Sequence, residues 1–310
     1  MSPLRILIVG AGGVGGFFGA KLARAGVPVT LLARGAHLAA IQRDGLRVRS
    51  AVEGESVARV EAVDDVRGLP PVDSVLFCVK SFDTESAAAA IRPVIGPDTA
   101  VVSLQNGVDN EDTIDRVLGA GHAVGGVAYV FATIESPGVI AHRFAGHLVF
   151  GELDGRLSPR LQRLHAALTA AGVRAELSPA ITVALWQKYL MITAQAGMTA
   201  LARAPIGVIR TVPESRLMYR RIVEELAALG RARGVALPVD IVDTIMKAAD
   251  GLAPEAYSSL HHDLTQGKRL ELETLHGHAV RLGDRLGVPT PMTFAVYAAL
   301  KPHVDGRPAA

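Results

Sequence analysis

Ile6-Leu7-Ile8-Val9-Gly10-Ala11-Gly12-Gly13-Val14-Gly15 is an apolar run that breaks into a glycine-rich turn. The four apolar residues predict a short buried strand, and the glycines predict a tight turn that opens a helix over residues 16–25. That geometry points a helix N-terminus and bare backbone N–H groups at one spot, which suits a pyrophosphate. Gly10, Gly12, Gly13, Val14 and Gly15 are the candidate contacts. The glycines alone would also fit an ordinary turn. Their place directly after one strand and before a second, at residues 29–33, favours nucleotide binding.

Outward from this turn the first half alternates short apolar runs with helical patterns. Strands are expected at residues 5–9, 29–33, 74–79, 100–104 and 123–132, which implies a doubly wound, Rossmann-like parallel sheet. Glu135-Ser136-Pro137-Gly138 is a turn signal, and strands at 127–133, 139–143 and 148–151 read as antiparallel additions to that sheet. Ser158-Pro159 starts a helix, the serine as N-cap and the proline at the first helical position. Beyond Ser178-Pro179 the periodicity is helical, over 181–202, 215–233, 239–249 and 270–286. In the last segment Leu272, Leu275, Ala279, Leu282 and Leu286 form one stripe that Gly287 and Pro289 end. The expected fold is an α/β domain over residues 1–175 followed by an all-helical C-terminal domain over 176–310.

Composition narrows the function. The chain has 310 residues, 49% hydrophobic and 20% charged, with a net charge of +2. It carries no basic block and no aromatic ladder, so no nucleic acid partner is expected. His261 and His262 are adjacent, and His276 and His278 do not share a helical face, so no metal is expected either. The single cysteine, Cys78, lies in an apolar run and reads as a small core residue, which fits a cytoplasmic protein. No cleavable signal and no membrane span are read from the sequence, the stretch between Lys188 and Arg203 being too short and too polar to cross a bilayer. No Gly-x-Ser-x-Gly elbow supports a serine hydrolase. The apolar helical half would allow a homodimer.

Several polar residues stand where chemistry is expected. Arg34 ends the second strand, where a dinucleotide fold meets the adenosine ribose; a guanidinium there favours a 2′-phosphate, hence NADP(H). Lys80 and Asn106 follow the third and fourth strands, at the carboxyl edge where open sheets bind ligands. An exposed lysine and a turn asparagine before Gly107 are the plainer alternatives. Lys188 sits in Trp186-Gln187-Lys188-Tyr189-Leu190-Met191, where apolar surroundings would lower its pKa and suit it to proton donation. Glu271 lies at the edge of the leucine stripe, placed to orient a lysine or bind a substrate hydroxyl, or simply to favour a helix start.

Taken in order, these residues resemble the ketopantoate reductase (2-dehydropantoate 2-reductase) family along nearly the whole chain. The resemblance rests on Gly10-x-Gly12-x-x-Gly15, Ala33-Arg34-Gly35 with His37-Leu38, Val79-Lys80 and Leu104-Gln105-Asn106-Gly107-Val108. It continues through Leu185-Trp186-x-Lys188, Ser258-Ser259-Leu260 with Asp263, and Gly287-Val288-Pro289-Thr290-Pro291. It implies NADPH reduction of a 2-oxo acid, 2-dehydropantoate to (R)-pantoate in pantothenate biosynthesis. Lys188 would be the proton donor, Glu271 a substrate contact that positions it, Arg34 the 2′-phosphate partner, Asn106 and Lys80 the residues at the nicotinamide and carbonyl, and Ser259 the contact to the substrate carboxylate. The chain departs from the family at three asparagine positions, which are Ile192, Ala196 and Ala256 here. Losing three amides changes substrate preference strongly, so a bulkier or more apolar oxo compound is a second expectation, with a non-catalytic NADP-binding regulator a third. Gln195 and Thr199 are polar residues of the same helix able to substitute.

Overall fold

The computed structural model describes residues 3–307, so the outer ends of the expected domains, 1–2 and 308–310, lie outside the described residues. The first compact unit is built on ten strands: β1 (Ile6–Val9), β2 (Val29–Leu32), β3 (Leu46–Ser50), β4 (Gly54–Ala58), β5 (Glu61–Val63), β6 (Val72–Phe77), β7 (Ile95–Ser103), β8 (Ala123–Ser136), β9 (Val139–Gly151) and β10 (Arg174–Leu177). They form one sheet in the order β4-β3-β9-β8-β7-β6-β1-β2-β5, with β10 also on β9. β1 pairs in parallel with β2 and β6, and the parallel run continues to β5 on one side and to β7 and β8 on the other. The turn at Pro137 then reverses the chain, so β8 and β9 pair antiparallel. The order reverses at β1, which puts the glycine loop at the switch point of the doubly wound sheet.

Every residue of β1 is buried, as a central parallel strand covered on both faces requires. The period of two divides its side chains between faces. Ile6 and Ile8 join a core with Phe17, Phe18 and Leu22 of α1 (Gly13–Arg24), whereas Leu7 and Val9 join a second core with Val75, Phe77 and Ile91. α2 (Gly35–Asp44), α3 (Thr84–Ile91), α4 (Asn110–Leu118) and α5 (Pro159–Ala170) complete the unit. Ser158 caps α5 as expected, its hydroxyl accepting from the Leu161 N–H at 3.4 Å.

The structure corrects several strands. β3, β4 and β5 are short and carry few apolar residues, so their periodicity is weak. The strands expected at 139–143 and 148–151 are one, Val139–Gly151, whose first part pairs with β3 and whose second part pairs with β10. β6 ends at Phe77, so Cys78 sits just past it; burial pushes its thiol pKa up, in keeping with a core role. Because β10 extends the first sheet, the chain changes unit after Ile181 rather than at 175. Residues Asn106–Val108, expected in the first domain, belong to the second unit, where Val108 packs against the helical core.

The second unit is helical: α6 (Ile181–Ala202), α7 (Ile206–Thr211), α8 (Pro213–Ala232), α9 (Ile241–Asp250), α10 (Ser259–Thr265), α11 (His278–Leu286) and α12 (Pro291–Leu300). α6 is apolar nearly all round, and Trp186, Tyr189 and Leu190 pack with Tyr219, Ile222 and Leu226 of α8. The single helix expected over 270–286 is instead a π turn, Glu273–Gly277, leading into α11. Leu272, Leu275, Ala279 and Leu282 are buried as the stripe predicts, but Leu286 is exposed. Gly287 closes α11 in the left-handed region (φ 67°).

Candidate functional site

In the first unit the glycine loop forms a cradle. Gly10 has φ +94°, and a Cβ there would lie 3.0 Å from the Val79 backbone nitrogen, so the position needs glycine on two counts. A Cβ on Gly15 would run into the Gly10 carbonyl, and one on Gly13 into the Ala132 carbonyl of β8. Gly12, the N-cap of α1, faces open space, with no side chain capping the helix and no acid in its first turn. A backbone concavity of this kind, with a positive helix end, fits a pyrophosphate. Val14 is half-buried and packs against the first core.

Two neighbours hold and frame the loop. His37 of α2 accepts from the Gly138 N–H at its Nδ1 (2.9 Å), which leaves the proton on Nε2, 2.8 Å from the Ala11 carbonyl. One ring therefore ties the loop to α2 and to the β8–β9 turn. Arg34 is the N-cap of α2 and extends into solvent, its side chain 91% exposed. Its guanidinium lies 3.6 Å from the Asp83 carboxylate, an acid that reading around Arg34 alone misses because it comes from the 3₁₀ turn Ser81–Asp83 that follows β6. Lys80 is exposed and precedes the 3₁₀ turn Ser81–Asp83 that carries this acid.

A buried polar network lies beside β7. Gln105 donates to the Thr84 hydroxyl (2.8 Å), which donates to the Ser81 carbonyl (2.7 Å). Glu111 of α4 is buried, and desolvation raises its pKa to about 7 against the lowering effect of backbone and Ser103 hydrogen bonds. The sequence offers no signal for this group beyond an acid in the first turn of a helix.

The second unit holds Asn106, Lys188, Gln195, Ser259 and Glu271. Lys188 is half-buried, but its ammonium is desolvated; that lowers its pKa to about 8, with the charge of Glu271 acting the other way. Glu271 is itself 6% exposed, so its charge acts on the Lys188 ammonium from buried surroundings. The turn after Glu271 is linked to α6 next to Lys188, where the Tyr189 hydroxyl donates to the Leu275 carbonyl at 2.5 Å. Gln195 lies two turns beyond Lys188 and is half-buried. Thr199 is buried and its hydroxyl is engaged with the Gln195 carbonyl (2.7 Å) and Ser258 (2.8 Å), so it is not open to a ligand as expected. Ser258 caps α10 and Ser259 is exposed. Ala196 is 3% exposed and packs in the helical core, and Ile192 and Ala256 pack partly against it. His276 is fully buried, and burial lowers its pKa to about 4, which agrees with a structural role. Among the described residues no group of three or more His, Cys, Asp or Glu is placed to hold a metal, and no helix is long and apolar enough to cross a membrane.

A glycine loop at the switch point of a doubly wound sheet, with a desolvated lysine in a following helical unit, defines an oxidoreductase of the nicotinamide-dinucleotide class. The particular family follows from comparison with known proteins. Residues 6–155 match the model described as ketopantoate reductase PanE/ApbA, and residues 180–304 match its C-terminal counterpart. A 2-dehydropantoate 2-reductase of Mesorhizobium japonicum is 30% identical over 96% of this chain and 97% of its own length. The crystal structure of a PanE/ApbA family ketopantoate reductase from Ralstonia eutropha is 36% identical, covers 97% of this chain and 98% of its own, and superposes with a TM-score of 0.89. A D-mandelate dehydrogenase solved with NADH and anilino(oxo)acetate shares the fold at 23% identity, covering 97% of this chain and 98% of its own, with a TM-score of 0.88. The chain belongs to the ketopantoate reductase family.

Proposed function

We propose that this chain reduces the ketone of a 2-oxo acid with NADPH, and that 2-dehydropantoate, giving (R)-pantoate, is its substrate. The observation that carries this reading is the Lys188–Glu271 pair: a desolvated ammonium held beside a buried carboxylate is of no use for holding a dinucleotide and suits proton donation. When bound, the dinucleotide supplies the hydride. Gly10, Gly12, Gly13, Val14 and Gly15 would hold its pyrophosphate and Arg34 its 2′-phosphate, with Lys80 and Asn106 toward the nicotinamide. Lys188 gives its Nζ proton to the carbonyl oxygen as negative charge develops there, and Glu271 keeps that lysine charged and oriented. Ser259 and Gln195 meet the polar end of the substrate. Family membership and an oxo acid substrate support this assignment at the coarser level.

A second reading has a specific observation behind it. Ile192, Ala196 and Ala256 offer no hydrogen bonds, and Ala196 is committed to the core, so a more apolar oxo acid is favoured by the chain's own residues. The arylated ligand named for the D-mandelate dehydrogenase structure is of that kind. A non-catalytic NADP-binding regulator has no need of the Lys188–Glu271 pair. We further propose a cytoplasmic protein, in keeping with one unpaired thiol, and a homodimer. The deciding experiment follows NADPH oxidation across 2-oxo acids, 2-dehydropantoate included. Highest kcat/KM for 2-dehydropantoate upholds the first reading, preference for an aryl- or branched-chain oxo acid upholds the second, and no turnover with any oxo acid overturns both.

A further inference from the structure

We propose that Asp83 sets the cofactor preference of this chain, opposing a 2′-phosphate at Arg34 and so admitting NADH as a second ligand. The inference rests on the dinucleotide reading above.

The topology creates the pairing. β6 and β2 flank β1 on either side, and each sends a residue to the carboxyl edge around the glycine loop. β2 runs into Arg34 and β6 into the turn Ser81–Asp83. The Arg34 side chain is 91% exposed, yet its guanidinium lies 3.6 Å from the Asp83 carboxylate. In solvent such a pair adds little to stability, so removing it leaves the fold nearly unaffected while changing the charge beside Arg34. A phosphate bound by that guanidinium lies well within a Debye length (~8 Å) of the carboxylate, and the two anions repel. A dinucleotide with a free 2′-hydroxyl carries no such charge there, and a hydroxyl can donate to a carboxylate.

The turn does not need the carboxylate to hold its shape. Asp83 donates its backbone N–H to the Lys80 carbonyl (2.9 Å), and its own carbonyl accepts from the Ser86 hydroxyl (3.1 Å). Thr84 donates to the Ser81 carbonyl (2.7 Å), while the Asp83 side chain makes no capping bond to α3. Removing its charge therefore tests electrostatics rather than folding.

The test is equilibrium titration of the purified full chain with NADPH and with NADH, read by nucleotide fluorescence, for wild type, Asp83→Asn, Asp83→Ser and Arg34→Ala. Loss of one negative charge near a phosphate should tighten NADPH about five-fold at low salt and less at high salt, and leave NADH unchanged or weaker. Arg34→Ala should lose NADPH affinity while keeping NADH. If the NADPH-to-NADH affinity ratio of both Asp83 variants stays within about two-fold of wild type, where charge removal predicts more, the inference on Asp83 is overturned and the dinucleotide reading stands. If wild type and every variant bind neither nucleotide, the dinucleotide reading itself falls, and the inference with it.

Discussion

Two desolvated ionisable groups, the Lys188 ammonium and the Glu111 carboxyl, carry opposite consequences at the residue scale. Lys188 has its pKa lowered to about 8 by desolvation, so the protonated form needed for donation is lost as pH rises through that value. Its kcat/KM should fall on the alkaline side with an apparent pKa of about 8; a plateau running well past pH 9 would remove the proton-donor role. Lys188→Ala should cut kcat by roughly a hundredfold or more while nucleotide affinity by fluorescence stays near wild type. Glu111 behaves in the other sense, its pKa raised from 4.5 to about 7 by burial. Below 4.5 both states bind the proton; between the two values only the folded state keeps it, so stability falls as pH rises through about 7. Glu111→Gln should therefore raise unfolding free energy by about 3 kcal/mol above pH 7 and little near pH 4, measured by urea denaturation. Equal effects at both pH values would contradict a buried, proton-binding carboxyl.

At the element scale, the helices were easier to read than the strands. α6 was legible because a long, nearly uniform apolar run admits little else, and α5 because Ser158 and Pro159 mark its start. β3 and β5 were not, since neighbours rather than their own sequence hold them in the sheet. The π turn at Glu273–Gly277 leaves no mark in the sequence: Leu272, Leu275, Ala279 and Leu282 keep ordinary helical spacing and all four are buried. That turn is tied to α6 through Tyr189, beside Lys188. Tyr189→Phe should cost roughly 1 kcal/mol, the net value of one such bond, and lower kcat more than it raises KM. Wild-type kcat in a destabilised Tyr189→Phe protein would show the tie to be structural alone.

For the whole molecule, the two-unit plan and the place of the glycine loop between β1 and α1 could be taken from the sequence, because both depend on local patterns. Contacts between distant segments could not, and Asp83 beside Arg34 is the instance that matters most. Binding is also linked to stability: a ligand held only by the folded state adds about 2.7 kcal/mol at a hundredfold excess over its Kd. Saturating NADPH should thus raise the melting temperature of the first unit's transition, and scanning calorimetry showing no shift would argue against a dinucleotide site there.

The imidazole of His37 has a kinetic corollary. Gly138, which donates to it, lies 101 positions away in the chain. The glycine loop acquires its final braces only when that distant hairpin has closed, and contacts of such separation form late. During refolding, competence to capture NADPH should lag behind the recovery of helical circular dichroism, and simultaneous recovery of the two signals would mean that the loop is shaped without its brace.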